Sequence, residues 1–179
     1  MDISKTVAFL SLLSASFTGN AINADHWGPL SDIGAYGLVG VALAMPAYKG
    51  DWHGFEQAAY SVATTSGLGL VGKSLIDEAR PDHSGHDSFP SNHTANAFAA
   101  ATTINLRYSD KSAWPAYGIA VLVGVGRVQA NKHYWKDVFA GAVMGSLTSW
   151  VFTETFDKNV HVVPWAGQNK IGLTLSMLW

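Results

Sequence analysis

Most of the side chains able to do chemistry fall into three clusters. The first is Lys73, six residues, then Arg80-Pro81; the second is Pro90-Ser91-Asn92-His93; the third is Gly126-Arg127, five residues, His133, three residues, Asp137. Lys73, Arg80 and Arg127 are three cations, two of them forked guanidinium groups that match a tetrahedral oxyanion. Ser91 and Asn92 stand just before an apolar helical run. A helix starting there aims backbone N–H groups at the same anion, and Ser91 can add its hydroxyl. Such a set can stabilise the loose transition state of phosphoryl transfer without Mg²⁺.

The two histidines then take separate tasks. His133 and Asp137 are four residues apart, which puts them on one helix face if a helix starts that early. Asp137 can hold the imidazole in the tautomer that leaves its other nitrogen free to attack, so His133 reads as the nucleophile. His93 can protonate the leaving oxygen and then take a proton from the hydrolytic water, so it reads as the acid and base. No metal site and no cofactor are called for.

Taken singly, each residue has an ordinary explanation. Lys73, Arg80 or Arg127 could be a solvated charge at a helix end, His133 with Asp137 a helix-capping hydrogen bond, and Ser91 a plain N-cap. None of these predicts a fixed order and spacing across three segments. His83, His86 and His93 with Asp82 and Asp87 hold metal-ligand chemistry in principle, but the 82–88 run reads more simply as a mobile polar loop at the pocket mouth.

The three clusters resemble the signature of the type 2 phosphatidic acid phosphatase superfamily, which includes bacterial non-specific acid phosphatases and vanadium haloperoxidases. Its pattern is Lys, six residues, Arg-Pro; then Pro-Ser-Gly-His; then Ser-Arg, five residues, His, three residues, Asp. Order and internal gaps match, over roughly residues 49–146. The resemblance implies that Lys73, Arg80, Ser91, Asn92 and Arg127 bind phosphate and that His133, His93 and Asp137 are catalytic. It implies an all-α helical bundle with its pocket at one end. Two positions depart from the pattern: Asn92 stands where the family has Gly, and Gly126 where it has Ser. Two rivals remain beside the phosphatase: a vanadate-dependent haloperoxidase, whose chains are generally much longer, and a non-catalytic bundle with a decayed pocket.

The elements that must position these clusters are legible as apolar segments near 32–48, 54–77, 92–108, 113–130 and 135–155, separated by breakers such as Tyr48-Lys49-Gly50-Asp51 and Tyr108-Ser109-Asp110-Lys111. The tail differs. Ile171, Leu173, Leu175 and Met177 alternate with smaller or polar residues, which predicts a C-terminal β-hairpin packed as a lid. Residues 1–24 carry Lys5, an apolar run and small residues, the pattern of a signal peptide or an N-terminal anchor helix. The expected division is 1–24, a bundle over 25–157, and a tail over 158–179.

With 179 residues, one domain is the expectation. Eleven Lys and Arg against 13 Asp and Glu give a net charge of −2, which removes any electrostatic case for nucleic acid. The absence of Cys excludes disulfides, thiolate metal sites and Cys nucleophiles. Only 13% of residues are charged, against about 25% in typical soluble domains, and this points to membrane association. The stretches free of Asp, Glu, Lys and Arg, 33–48, 57–72, 112–126 and 138–153, are shorter than the ~20 residues of a full span. The expected setting is a bacterial cell envelope, with the pocket facing the periplasm, and the expected substrate a phosphorylated lipid or a small phosphate ester.

Overall fold

The computed structural model describes residues 23–108, 113–153, 160–167 and 170–177, the last two stretches as backbone only. Five helices follow one another: α1 Ala24–Tyr48, α2 Trp52–Leu75, α3 Asn92–Tyr108, α4 Ala113–Gln129 and α5 Trp135–Thr153. All five expected segments are present. The main difference is α1, which begins eight residues before the expected start. It carries Pro29 in its second turn at the cost of one backbone hydrogen bond. Of the leader or anchor expected over 1–24, residues 1–22 lie outside the described part.

After the helices, β1 Val160–Gly167 and β2 Lys170–Met177 pair antiparallel, in register from Val160↔Met177 to Gly167↔Lys170. This register sets Val160, Val162, Pro164 and Ala166 opposite Met177, Leu175, Leu173 and Ile171.

The core is built from small side chains. Helix α3 packs against each of the other four helices, and Ala95, Ala97, Ala99, Ala100 and Ala101 on it are fully buried. Close approach is what the small residues permit. A Cβ at Gly145 of α5 would lie 2.0 Å from the Ala95 carbonyl oxygen, and one at Gly141 would lie 2.6 Å from the Ser91 oxygen. Larger residues at either position would push α5 off the helix that carries His93.

Polarity is distributed against the usual pattern. Ser61, Thr65, Thr94, Thr103 and Ser149 are buried, while Ile33, Leu70, Leu122, Phe139 and Leu147 project outward. A surface so apolar is characteristic of contact with something other than water. Among the described residues one helix, Ala24–Tyr48, is long and apolar enough to cross a membrane.

Because the helices run up and down, their ends gather in two places. At one, Asp51 caps α2 by accepting from Gly54 N at 3.0 Å. The same carboxylate takes both arms of Arg107, from Nε at 2.9 Å and from Nη2 at 2.7 Å. The Arg107 hydrogen bonds hold the Asp51 carboxyl at about 2. The other end carries the three clusters.

Candidate active site

Each cluster sits where a helix begins or stops. Lys73 is in the last turn of α2, Asn92 and His93 open α3, Arg127 is in the last turn of α4, and Asp137 is in the first turn of α5. Arg80 and His133 lie in the connections between helices. The bundle brings all of them to one end, as the spacing of the clusters requires.

The buried centre is His133, 2% exposed, with Asp137 wholly enclosed beside it. Helix α5 starts at Trp135, so the pair does not share a regular helix face: His133 precedes the helix and Asp137 lies within its first turn. The Nδ1 of His133 lies 3.7 Å from Asp137 Oδ2, beyond hydrogen-bond distance, and makes no hydrogen bond among the described residues. That oxygen is fixed by two donors, Tyr134 N at 2.9 Å and Ser88 Oγ at 2.6 Å. Nδ1 is the ring nitrogen on the carboxylate side, and Nε2 is the one on the opposite side of the ring.

Burial pushes the His133 pKa down to about 3, with the positive charges of Arg127, Lys73 and Arg80 adding to the effect and the Ser88 backbone opposing it. All three cations therefore press on one imidazole. The ring is neutral at any ordinary pH, the form in which it is a nucleophile.

The cations are held by two carboxylates. Asp87 takes Arg80 bidentately, from Nε at 2.8 Å and Nη2 at 2.9 Å, and its backbone carbonyl accepts from Lys73 Nζ. The Arg80 hydrogen bonds lower the Asp87 carboxyl below its usual range. On the other side, Asp32 of α1 accepts from Arg127 Nη1 at 2.7 Å, and the same oxygen lies 3.2 Å from His93 Nε2. Asp32 thus joins a cation of the third cluster to the histidine of the second.

Ser91 is fully buried, with its hydroxyl shared with Thr94 Oγ1 at 3.0 Å and its N–H donated to the Asp137 carbonyl at 3.1 Å. Its N–H is engaged inside the protein, and its hydroxyl is paired with that of Thr94. Asn92 turns its side chain against α2: a Cβ at Gly69 would fall 1.5 Å from Asn92 Oδ1. The bulk that Asn brings to a glycine position is taken up by the glycine facing it. Gly126 has a similar explanation, since a Cβ there would lie 2.9 Å from Ser31 Cβ. A hydroxyl does stand beside Arg127, supplied from α1 by Ser31 Oγ at 3.4 Å from Nη1.

The polar segment between α2 and α3 is not the loose loop that its composition implies. Glu78 N donates to the His86 carbonyl at 3.1 Å, Arg80 N to Gly85 at 2.9 Å and Ser88 N to Glu78 at 3.0 Å. Lys132 ties Asp82 at 2.5 Å and Lys136 pairs with Glu78. His86 meets Asp77 at 3.0 Å on the exposed side, whereas His93 points inward to Asp32, so the histidines serve different places. Trp135 is more than half exposed.

Three contributors escape sequence reasoning: Asp32, Ser88 and Thr94. Asp32 had a signal, since it is the last charge before the charge-free stretch 33–48. A carboxylate within a mostly apolar helix is expensive unless paired. Ser88 and Thr94 are common residues with no distinguishing spacing.

Residues 56–161 match the PAP2 superfamily profile. Over 92 residues the chain is 38% identical to lipid A 1-phosphatase of Porphyromonas gingivalis, a match covering 50% of this chain and 21% of that protein. It is 35% identical over 96 residues to lipid phosphate phosphatase 1 of Arabidopsis thaliana, covering 45% and 29%. The chain spans between 21% and 33% of the length of the curated relatives it matches. Among solved structures, LpxE of Aquifex aeolicus superposes with a TM-score of 0.63 at 21% identity, covering 76% of this chain and 88% of that one. A transmembrane PAP2 type phosphatidylglycerolphosphate phosphatase from Bacillus subtilis superposes at 0.61 with 24% identity, covering 88% and 90%. The last two likenesses concern the fold.

Proposed function

Because the chain belongs to the PAP2 superfamily, we propose that it is a membrane-associated phosphatase that hydrolyses a lipid phosphomonoester or diphosphate through a phosphohistidine on His133. The observation that carries this reading is the buried imidazole of His133, with Nδ1 3.7 Å from Asp137 Oδ2 and the positive charges of Arg127, Lys73 and Arg80 acting on it. Two relatives are named lipid phosphate phosphatases and one a lipid A 1-phosphatase, and the outward-facing Ile, Leu and Phe side chains suit a lipid surface.

The reaction divides into two displacements. His133 Nε2 attacks phosphorus, the P–O bond to the leaving group breaks, and its electron pair goes to the leaving oxygen, which takes a proton from His93. Water then attacks the phosphohistidine, giving a proton to His93, and the P–N bond breaks to restore neutral His133. Lys73, Arg80 and Arg127 hold the equatorial oxygens through both steps. Asp137 keeps the tautomer and stabilises positive charge on the ring. Arg127 and Arg80 exchange Asp32 and Asp87 for the incoming phosphate. Within this reading residues 1–24 serve as leader or anchor, 25–157 as the catalytic bundle and 158–179 as an appended hairpin, with the pocket on the periplasmic face.

The test is release of inorganic phosphate from lipid and soluble phosphates in EDTA, by wild type and by His133→Ala. Release by wild type and its loss in the variant are expected. Equal turnover by both proteins would favour the non-catalytic bundle, and oxidation of halide only on addition of vanadate would favour the haloperoxidase.

A further inference from the structure

The cations of the site are buried, and the carboxylates that hold them are not. The side chains of Arg127, Lys73 and Arg80 are 7%, 14% and 20% exposed, whereas those of Asp32 and Asp87 are 43% and 48% exposed. A carboxylate that already meets water can swing out at little desolvation cost, while the cation behind it stays in need of an anion. Each acid also occupies donors that an entering anion would use. Asp87 takes the Arg80 fork at 2.8 and 2.9 Å. Asp32 Oδ1 lies 2.7 Å from Arg127 Nη1 and 3.2 Å from His93 Nε2, so one oxygen stands between a cation of the pocket and the acid-base histidine.

Charge then limits what can displace them. An entering anion gains only the difference between the contacts it makes and those it removes. A terminal phosphate group brings two negative charges above about pH 6 and three unsubstituted oxygens, enough to serve Arg80 and Arg127 together. The phosphodiester of an ordinary phospholipid headgroup brings one charge and two such oxygens, less than the two carboxylates already supply. Resting on the phosphatase reading, we propose that Asp32 and Asp87 are tethered competitors that set the specificity of the anion pocket: they yield to the dianion of a terminal phosphate and turn away phosphodiester monoanions, which abound at any lipid surface. The buried cations alone would hold either anion.

The test measures binding rather than turnover. Inorganic phosphate and dimethyl phosphate, a soluble phosphodiester, are titrated at about pH 8 into the full chain in detergent, with ³¹P line broadening as the readout. Wild type is expected to prefer phosphate. Asp32→Asn is expected to cut that preference at least about tenfold, the scale of one charge-assisted hydrogen bond, by binding dimethyl phosphate more tightly. Asp87→Asn is expected to do the same from the other side of the pocket, and serves if the first variant folds poorly. Asp25→Asn, which alters an exposed carboxylate in the first turn of the helix that carries Asp32, is expected to keep the wild-type ratio. Wild type that binds both anions alike, an unchanged ratio in both Asp32→Asn and Asp87→Asn, or a fall as large in Asp25→Asn overturns the competitor role and leaves the phosphatase standing. Failure of wild type to release phosphate from phosphatidic acid overturns both.

Discussion

Ser88 donates its hydroxyl to Asp137 Oδ2 at 2.6 Å, and both residues are fully buried. The bond reaches from the segment before α3 to the first turn of α5, and so links the second cluster to the third. A buried hydrogen bond to a charged acceptor is worth about 1.5–3 kcal/mol. Ser88→Ala is therefore expected to lower kcat by about ten- to a hundredfold with KM little changed, because it loosens the carboxylate that orients His133. Steady-state kinetics on a variant with native circular dichroism checks this; wild-type kcat would assign Asp137 its position without Ser88.

Asp32 is the residue through which α1 enters the site. Its bond to Arg127 is charge-assisted and its oxygen also approaches His93. Asp32→Ala is expected to lower kcat/KM by about tenfold, the equivalent of roughly 1.4 kcal/mol, while leaving the melting temperature within a few degrees, since the group is partly exposed. A variant as active as wild type would mean that Arg127 and His93 keep their places unaided.

The depressed pKa of His133 has a defined consequence for stability. The group binds its proton near 6.5 when unfolded and near 3 when folded, so between these values the unfolded chain holds more protons. Stability from this source is complete above about pH 6.5 and is lost as pH falls toward 3. His133→Asn removes the titration. Thermal denaturation between pH 4 and 7 is expected to show a shallower pH dependence in the variant; identical slopes would place the acid sensitivity elsewhere.

Asn92 and Gly69 form a complementary pair across α2 and α3. A methyl group at Gly69 would lie 1.5 Å from Asn92 Oδ1, and overpacking of this kind typically costs about 1–3 kcal/mol. Gly69→Ala is expected to lower the melting temperature and the activity together. The double variant Gly69→Ala, Asn92→Gly, which restores the family's glycine at 92, is expected to recover most of the stability. Additive losses in the double variant would show that the two positions do not compensate.

The helices were legible because long apolar segments end at Gly, Asp, Ser and Lys clusters, and the bundle confirmed each of the five. The gathering of Lys73, Arg80, His93, Arg127, His133 and Asp137 at one end follows from the alternation of those segments, since each cluster falls where a chain reversal must occur. What escaped was the support. Asp32 lies 95 positions before Arg127 and Ser88 49 positions before Asp137, and sequence spacing carries no information about partners that meet only after packing. The exchange of glycine and bulk between positions 69 and 92, and the hydroxyl lent by Ser31 near Gly126, are likewise properties of helix contact. The regular 92–108 and 113–129 helices were easier to read than the start of α1, because nothing in its first turns distinguishes a helix from the end of a leader.

The most direct test is a rapid acid-free quench of enzyme mixed with [³²P]phosphatidic acid in EDTA, followed by denaturing electrophoresis and peptide mapping. A phosphoramidate on His133 is expected, stable in alkali and released in acid, present in wild type and absent from His133→Ala. Turnover of the lipid by His133→Ala at the wild-type rate, or label carried by another residue, would contradict it.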